Sequence, residues 1–211
     1  LTMTLLGPVS HAKAQSFQHF KKVVWIVFEN ENYTSAMKQP DFAKVAKLGA
    51  YFSNYTAETH PSQGNYITMI AGSSFGIVTD KNVDLSGNHI GDLLEKANLD
   101  WRVYAENYPG NCFTGAQSGN YVRKHVPFMS FTNVSRNSSR CAKITTSSNF
   151  FSDLSNGKLA EFNMYVPNLK NDGHDTGLDV AGKWLTSQFG SVFSNPTLLK
   201  DVLFIVTFDE D

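Results

Sequence analysis

The stretch KKVVWIVFEN, residues 21–30, sets an unbroken apolar run, Val23 to Phe28, between lysines and a Glu29-Asn30 pair. A run apolar at every position is the pattern of a strand buried on both faces. DVLFIVTFDED, residues 201–211, repeats it and likewise runs into acids. Working outward, AYFSNYTA (50–57), WRVYAEN (101–107) and EFNMYVPN (161–168) read as further strands. DFAKVAKLG (41–49) carries Phe42, Val45 and Ala46 at helical spacing with Gly49 as a stop, and PSQGNYITMIAG (61–72) is a helix ending at Gly72. HIGDLLEKANLD (89–100) is another helix, and LDVAGKWLTSQFGSVF (178–193) groups Val180, Ala181, Trp184 and Leu185 on one face. Strands alternating with helices predict an α/β fold, a mostly parallel sheet with helices on both faces. Residues 108–149 show little periodicity and read as a loop-rich insertion.

In such sheets ligands bind beyond the carboxyl ends of the strands. Glu29-Asn30 follow the first strand, Thr59-His60 the second and Glu106-Asn107 the third. Residues 168–175 follow the fourth, and Asp209, Glu210 and Asp211 the last. Taken alone, Thr59-His60-Pro61-Ser62 reads as a helix cap, Asp172-Gly173-His174-Asp175 as a capped loop and Asp209 as a solvated strand end. Independent capping does not require every corner of one edge to be acidic, amide or hydroxyl, so the edge reads as a site.

Glu29, Asp172, Asp175, Asp209 and Glu210, with His174 and Asn30, converge there if the sheet is built this way. Like charges at close range are costly unless a cation or protons neutralise them. Oxygen ligands with one or two histidines suit a divalent cation, which polarises a substrate oxygen and lowers the pKa of a nearby hydroxyl. Thr59 supplies that hydroxyl, with Ser62 a helical turn away, and a helix N-terminus suits a phosphate. Together these point to phosphoryl transfer.

The remaining sequence limits the setting. A net charge of −1 creates no field that favours nucleic acid, and no apolar stretch reaches the roughly 20 residues needed to span a bilayer. Residues 1–14 read as the end of a secretory signal peptide, with Ala12-Lys13-Ala14 as a small-x-small cleavage pattern; a plain N-terminal extension is the alternative. Asn54, Asn133 and Asn137 head glycosylation triplets; Asn32 does too but lies beside the expected site. Cys112 and Cys141 read as one disulfide in an oxidising compartment, or as two free thiols in the cytosol.

FENENY, THPSQGNY, CFTG, YVRKHVPFMSF, YVPNLKNDGHDTG and VTFDED, in that order, resemble the motifs of the phosphoesterase family, which holds secreted acid phosphatases and bacterial phospholipases C. The resemblance covers residues 20–211 and implies an alkaline phosphatase-like fold whose C-terminal part lies beyond this sequence, so that residues 15–211 form an incomplete catalytic domain. It implies a metal role for Glu29, Asn30, Asp172, Asp175, Asp209 and Glu210. It implies Thr59 as nucleophile with Ser62 as fallback, a catalytic His174, and phosphate contacts from Ser62, Asn65 and His125. Asn168 stands where the wider group carries an Asp, with Asp172 as a candidate substitute. The expected protein is a secreted, metal-assisted phosphomonoesterase acting on a small phosphate ester. A phosphodiesterase or phospholipase C, and an inactive anion- or partner-binding relative, are the alternatives.

Overall fold

A computed structural model describes residues 20–210. The signal-peptide reading of residues 1–14 and the acid Asp211 lie outside the described residues. The chain begins with β1 (Lys22–Phe28), α1 (Tyr33–Lys38) and α2 (Pro40–Ala46), then α3 (Ser62–Ala71), α4 (Ile90–Lys96) and β2 (Trp101–Ala105). A small hairpin, β3 (Gln117–Ser118) and β4 (Tyr121–Val122), leads into 3-10 turns at Arg123–His125 and Pro127–Ser130. Then come α5 (Thr132–Ser135), α6 (Ser138–Cys141), β5 (Ile144–Thr146), α7 (Ser148–Ser155), β6 (Phe162–Val166), α8 (Leu178–Phe193), α9 (Pro196–Leu199) and β7 (Val202–Phe208).

The central sheet has the order β5-β2-β6-β1-β7 and every pairing is parallel. Alternate side chains of β1 explain its unbroken apolar run. Val27 packs with Tyr66, Ile67 and Ile70 of α3 on one face, while Val24, Ile26 and Phe28 pack with Phe42 of α2 and Trp184 and Phe189 of α8 on the other. The sheet is thus covered on both sides, as expected from its composition.

Two expectations change. Residues 50–57 form no strand: their backbone joins no ladder, and Tyr51, Phe52 and Tyr55 stand exposed. Tyr51, Phe52 and Tyr55 give the stretch the aromatic content of a strand, but a strand needs a neighbour for its backbone groups. Here the neighbouring segment is held by a side chain instead, since Asn65 Oδ1 accepts from the amides of Glu58 and Thr59 and its Nδ2 donates to the Thr59 carbonyl. Residues 108–149 are also more than open loop. Val126, Phe128, Met129 and Phe131 are wholly buried, Phe128 stacks on Trp101 at 4.3 Å, and β5 completes one edge of the main sheet. Cys112 and Cys141 are disulfide-bonded, with Cα atoms 5.5 Å apart, and clip this segment as the oxidised reading predicts.

Of the glycosylation triplets, Asn54 and Asn137 are exposed. Asn133 is half-buried, its Nδ2 donating to Asp92 at 3.0 Å and its Oδ1 lying 3.2 Å from His89 Nε2. No helix among the described residues is long and apolar enough to cross a membrane.

Candidate active site

Parallel pairing converts positions far apart in sequence into one edge in space. Phe28 pairs with Phe208, so Glu29 and Asp209, the next residue of each strand, leave the sheet side by side. The backbone bonding continues past the strands: the Asp209 amide donates to the Phe28 carbonyl, Glu29 to Asp172 and Glu31 to Glu210, each at 2.9 Å. Glu29, Asp172, Asp209 and Glu210 are all buried, which makes their charge the main problem the site must solve.

His125, also buried, answers part of it. Its Nε2 lies 3.0 Å from Glu29 Oε1 and its Nδ1 3.3 Å from Asp172 Oδ2, and Tyr66 stacks on the ring at 4.8 Å. Burial works to raise the Glu29 pKa, but the His125 imidazolium outweighs it and holds the carboxyl at about 2. Conversely, burial works against the charged form of His125, and Glu29 and Asp172 overcome it to raise the ring to about 9. Asp172 is raised, chiefly by burial, with His125 opposing. Asp209 is pushed up to about 8, first by burial and then by the Glu29 charge, and neither of its carboxylate oxygens accepts a well-formed hydrogen bond.

The hydroxyl that meets these acids belongs to Ser62. Its Oγ lies 3.0 Å from Glu29 Oε2 and 3.0 Å from Glu210 Oε1. The reading of the corner as a helix cap does not hold for Ser62: Pro61 occupies the N-cap of α3, which has no side-chain cap, and the serine turns inward to the carboxylates. Glu210 is further held by Asn30 Nδ2 at 2.8 Å and by His60 Nδ1 at 2.5 Å. Thr59 is half-buried, and its hydroxyl donates to the His60 carbonyl at 3.3 Å. Its methyl closes on the helix at Gly64, where an added Cβ would lie 2.5 Å from Thr59 Cγ2; a bare glycine is what lets Thr59 approach.

Of the residues singled out from sequence, the structure thus brings Glu29, Asn30, Ser62, His125, Asp172, Asp209 and Glu210 into one group. His174 and Asp175 stand at its rim, about half exposed: His174 Nδ1 lies 2.8 Å from Asp175 Oδ1, and the ring centroid lies 6.3 Å from that of His125. Asp175 is thereby engaged with His174 rather than with the buried acids. Asn65 directs its amide to the backbone of residues 58 and 59.

One participant escaped the sequence reading and two were given no role in it. Tyr66 lies one turn after Ser62 on the same helix face, and its i+4 spacing was the available signal. His60 was read as part of a cap. Glu106 was noticed at the edge, yet it is a brace: it accepts from Trp184 Nε1, the Asn168 amide and Asn171 Nδ2, tying α8 and residues 168–171 to the end of β2.

Among the described residues no three His, Cys, Asp or Glu side chains are already gathered to hold a metal ion. The donor chemistry nevertheless fits a hard divalent cation, because Asp209 presents two unpartnered buried oxygens beside Glu210 and Asn30.

A parallel α/β sheet thus ends, at its carboxyl edge, in a buried carboxylate group that shares one serine hydroxyl. The chain belongs to the Phosphoesterase family, whose sequence description matches residues 12–211. It is 35% identical over 201 residues to a probable acid phosphatase of Kluyveromyces lactis, covering 91% of this chain and 48% of that protein. It is 34% identical over 214 residues to an acid phosphatase of Aspergillus fumigatus, covering 97% and 47%. A phosphatidylinositol-3-phosphatase of Mycobacterium tuberculosis is 31% identical over 208 residues, covering 94% and 66%. The chain thus spans about half the length of the fungal relatives it matches.

Proposed function

We propose that the protein is a secreted phosphomonoesterase of acid phosphatase type whose nucleophile is Ser62. One observation carries this reading: the Ser62 hydroxyl is shared between the buried Glu29 and Glu210 carboxylates, next to the unpartnered oxygens of Asp209. The sequence reading favoured Thr59, but its hydroxyl bonds only the neighbouring His60 carbonyl, and a nucleophile must meet the groups that take its proton.

Ser62 Oγ attacks phosphorus as its proton passes to the Glu210 carboxylate, and the bond from phosphorus to the alcohol oxygen breaks. His174, oriented through Nδ1 by Asp175, gives the departing oxygen a proton from Nε2. Water then attacks the phosphoserine, the imidazole takes up its proton, and Ser62 recovers its own as the phosphoserine bond breaks. A divalent cation held by Asp209 and Asn30, with Glu29 close by, would supply charge stabilisation for the phosphoryl oxygens and for the serine oxygen. Asn65 acts indirectly, fixing the turn that leads into α3.

Names of the relatives as acid phosphatases support the monoester reading, and the disulfide supports an oxidising compartment. Exposed Asn54 and Asn137 are compatible with glycosylation there, whereas the Asn133 amide is engaged. The test is hydrolysis by the full-length protein of p-nitrophenyl phosphate, its bis-ester and phosphatidylcholine, before and after chelation. Monoester cleavage that chelation abolishes is expected. Preference for the bis-ester or the lipid identifies the diesterase alternative, and no cleavage of any of them identifies a non-catalytic relative.

A further inference from the structure

A cleft of about 450 Å³ opens beside the buried acids, between Asn30 and Glu31 on one side and residues 173–177 on the other. Its size falls in the range of small-molecule sites, roughly 300–1,000 Å³. Such sites are ordinarily lined by apolar and aromatic side chains. This one is mostly polar: among the described residues its lining is Asn30, Glu31, His174, Asp175 and Thr176, with Gly173 and Gly177 between them.

The lining is also biased toward acceptors. Thr176 Oγ1 donates its proton to the Lys170 carbonyl at 2.6 Å, so its oxygen is left to accept. Glu31 adds its carboxylate to the lining, and Asp175 the oxygen that His174 leaves over. Gly173 and Gly177 sit at φ of +99° and +82°, so the turn between them carries bare backbone where a side chain would be strained.

From this arrangement we infer that the cleft is the leaving-group subsite and that it selects a polyhydroxylated alcohol, such as a sugar or polyol, over an alkyl or acyl chain. The inference rests on the phosphate-ester reading above. A ring with several hydroxyls offers donors to acceptors on both walls at once. An alkyl chain placed there would strip water from carboxylates and amides without replacing a single hydrogen bond, which is unfavourable for every group left unpaired. A leaving group bearing further phosphates would meet the carboxylates of Glu31 and Asp175.

The experiment compares kcat/KM of the full-length protein for glucose 6-phosphate, hexyl phosphate and phosphoethanolamine, all esters of primary alcohols. The sugar ester is expected to exceed hexyl phosphate by at least about 10-fold, about the net worth of one good hydrogen bond. Thr176→Val and Glu31→Gln should each raise KM for the sugar ester several-fold without raising KM for hexyl phosphate, narrowing the ratio between the two. Hexyl phosphate or phosphoethanolamine cleaved as well as the sugar ester, or variants that slow all esters alike, would overturn the inference. Should p-nitrophenyl phosphate also resist cleavage, the phosphatase reading itself fails, and saturation-transfer NMR then decides the subsite alone. Ring protons of glucose 6-phosphate saturated by the wild type but not by Thr176→Val support it; no ring saturation refutes it.

Discussion

Replacing Ser62 by alanine separates the two hydroxyls of the THPS corner. The Ser62 hydroxyl has one proton and two acceptors at 3.0 Å, Glu29 and Glu210, so its removal deletes one charge-assisted hydrogen bond at a time. Such a bond is worth about 1.5–3 kcal/mol, a loss that a folded domain tolerates. Asn30 and His60 still hold Glu210, and His125 still neutralises Glu29. The chemical consequence is far larger. Without a nucleophile the covalent route closes, and kcat should fall by about 10⁴-fold or more, equivalent to about 5 kcal/mol of barrier. Thr59→Ala removes only a 3.3 Å contact to a backbone carbonyl and should change kcat by less than about 10-fold. Release of p-nitrophenolate measures both variants, thermal unfolding verifies that each is folded, and acid-quenched phosphopeptide mapping identifies the labelled residue. Phosphate on Thr59, or a Ser62→Ala enzyme within tenfold of the wild type beside an inactive Thr59→Ala, would refute the assignment.

Further outcomes follow from the same geometry. Glu29, held at about 2, contributes stability that is present above its ordinary value of 4.5 and lost as pH falls toward 2. His125, raised to about 9, contributes stability fully present below 6.5 and lost as pH rises through 9, and the raised Asp209 weakens the fold as it ionises toward pH 8. Cation-free protein should therefore be most stable on the acid side of neutrality; a urea midpoint that climbs from pH 6 to pH 9 contradicts this. Glu106→Ala leaves three donors without their acceptor, so hydrogen exchange should rise across residues 168–175 and Tm should fall; unchanged exchange there would show that Glu106 braces nothing. Replacing Cys112 and Cys141 by serine opens a link between residues 29 apart, for which chain entropy gives about 3–4 kcal/mol; a loss under about 0.5 kcal/mol in denaturant unfolding would refute that.

How much of this was legible in the sequence depends on how local each signal is. β1, β7 and α8 could be read because buried parallel strands and amphipathic helices write their environment into consecutive residues. The acid edge was legible for a topological reason: when all strands run the same way, the residue after each strand arrives at one rim, so Glu29, Asp209 and Glu210 could be grouped without coordinates. The strand expected at residues 50–57 fails because aromatic content says nothing about whether a neighbouring strand exists. Thr59 lies two residues before Pro61 and Ser62 directly after it, and which of them faces the acids depends on where α3 begins, a boundary that sequence fixes to within only a few residues. His125 illustrates the same limit at longer range. Its basic neighbours Arg123 and Lys124 suggest a solvated stretch, yet Arg123 is itself buried, donating to the Val83, Thr114 and Met129 carbonyls and to Asp84. That anchoring carries the turn inward and delivers His125 to Glu29 and Asp172. Its role as counter-charge to the buried acids follows from contacts between elements remote in the chain, where no local pattern records it.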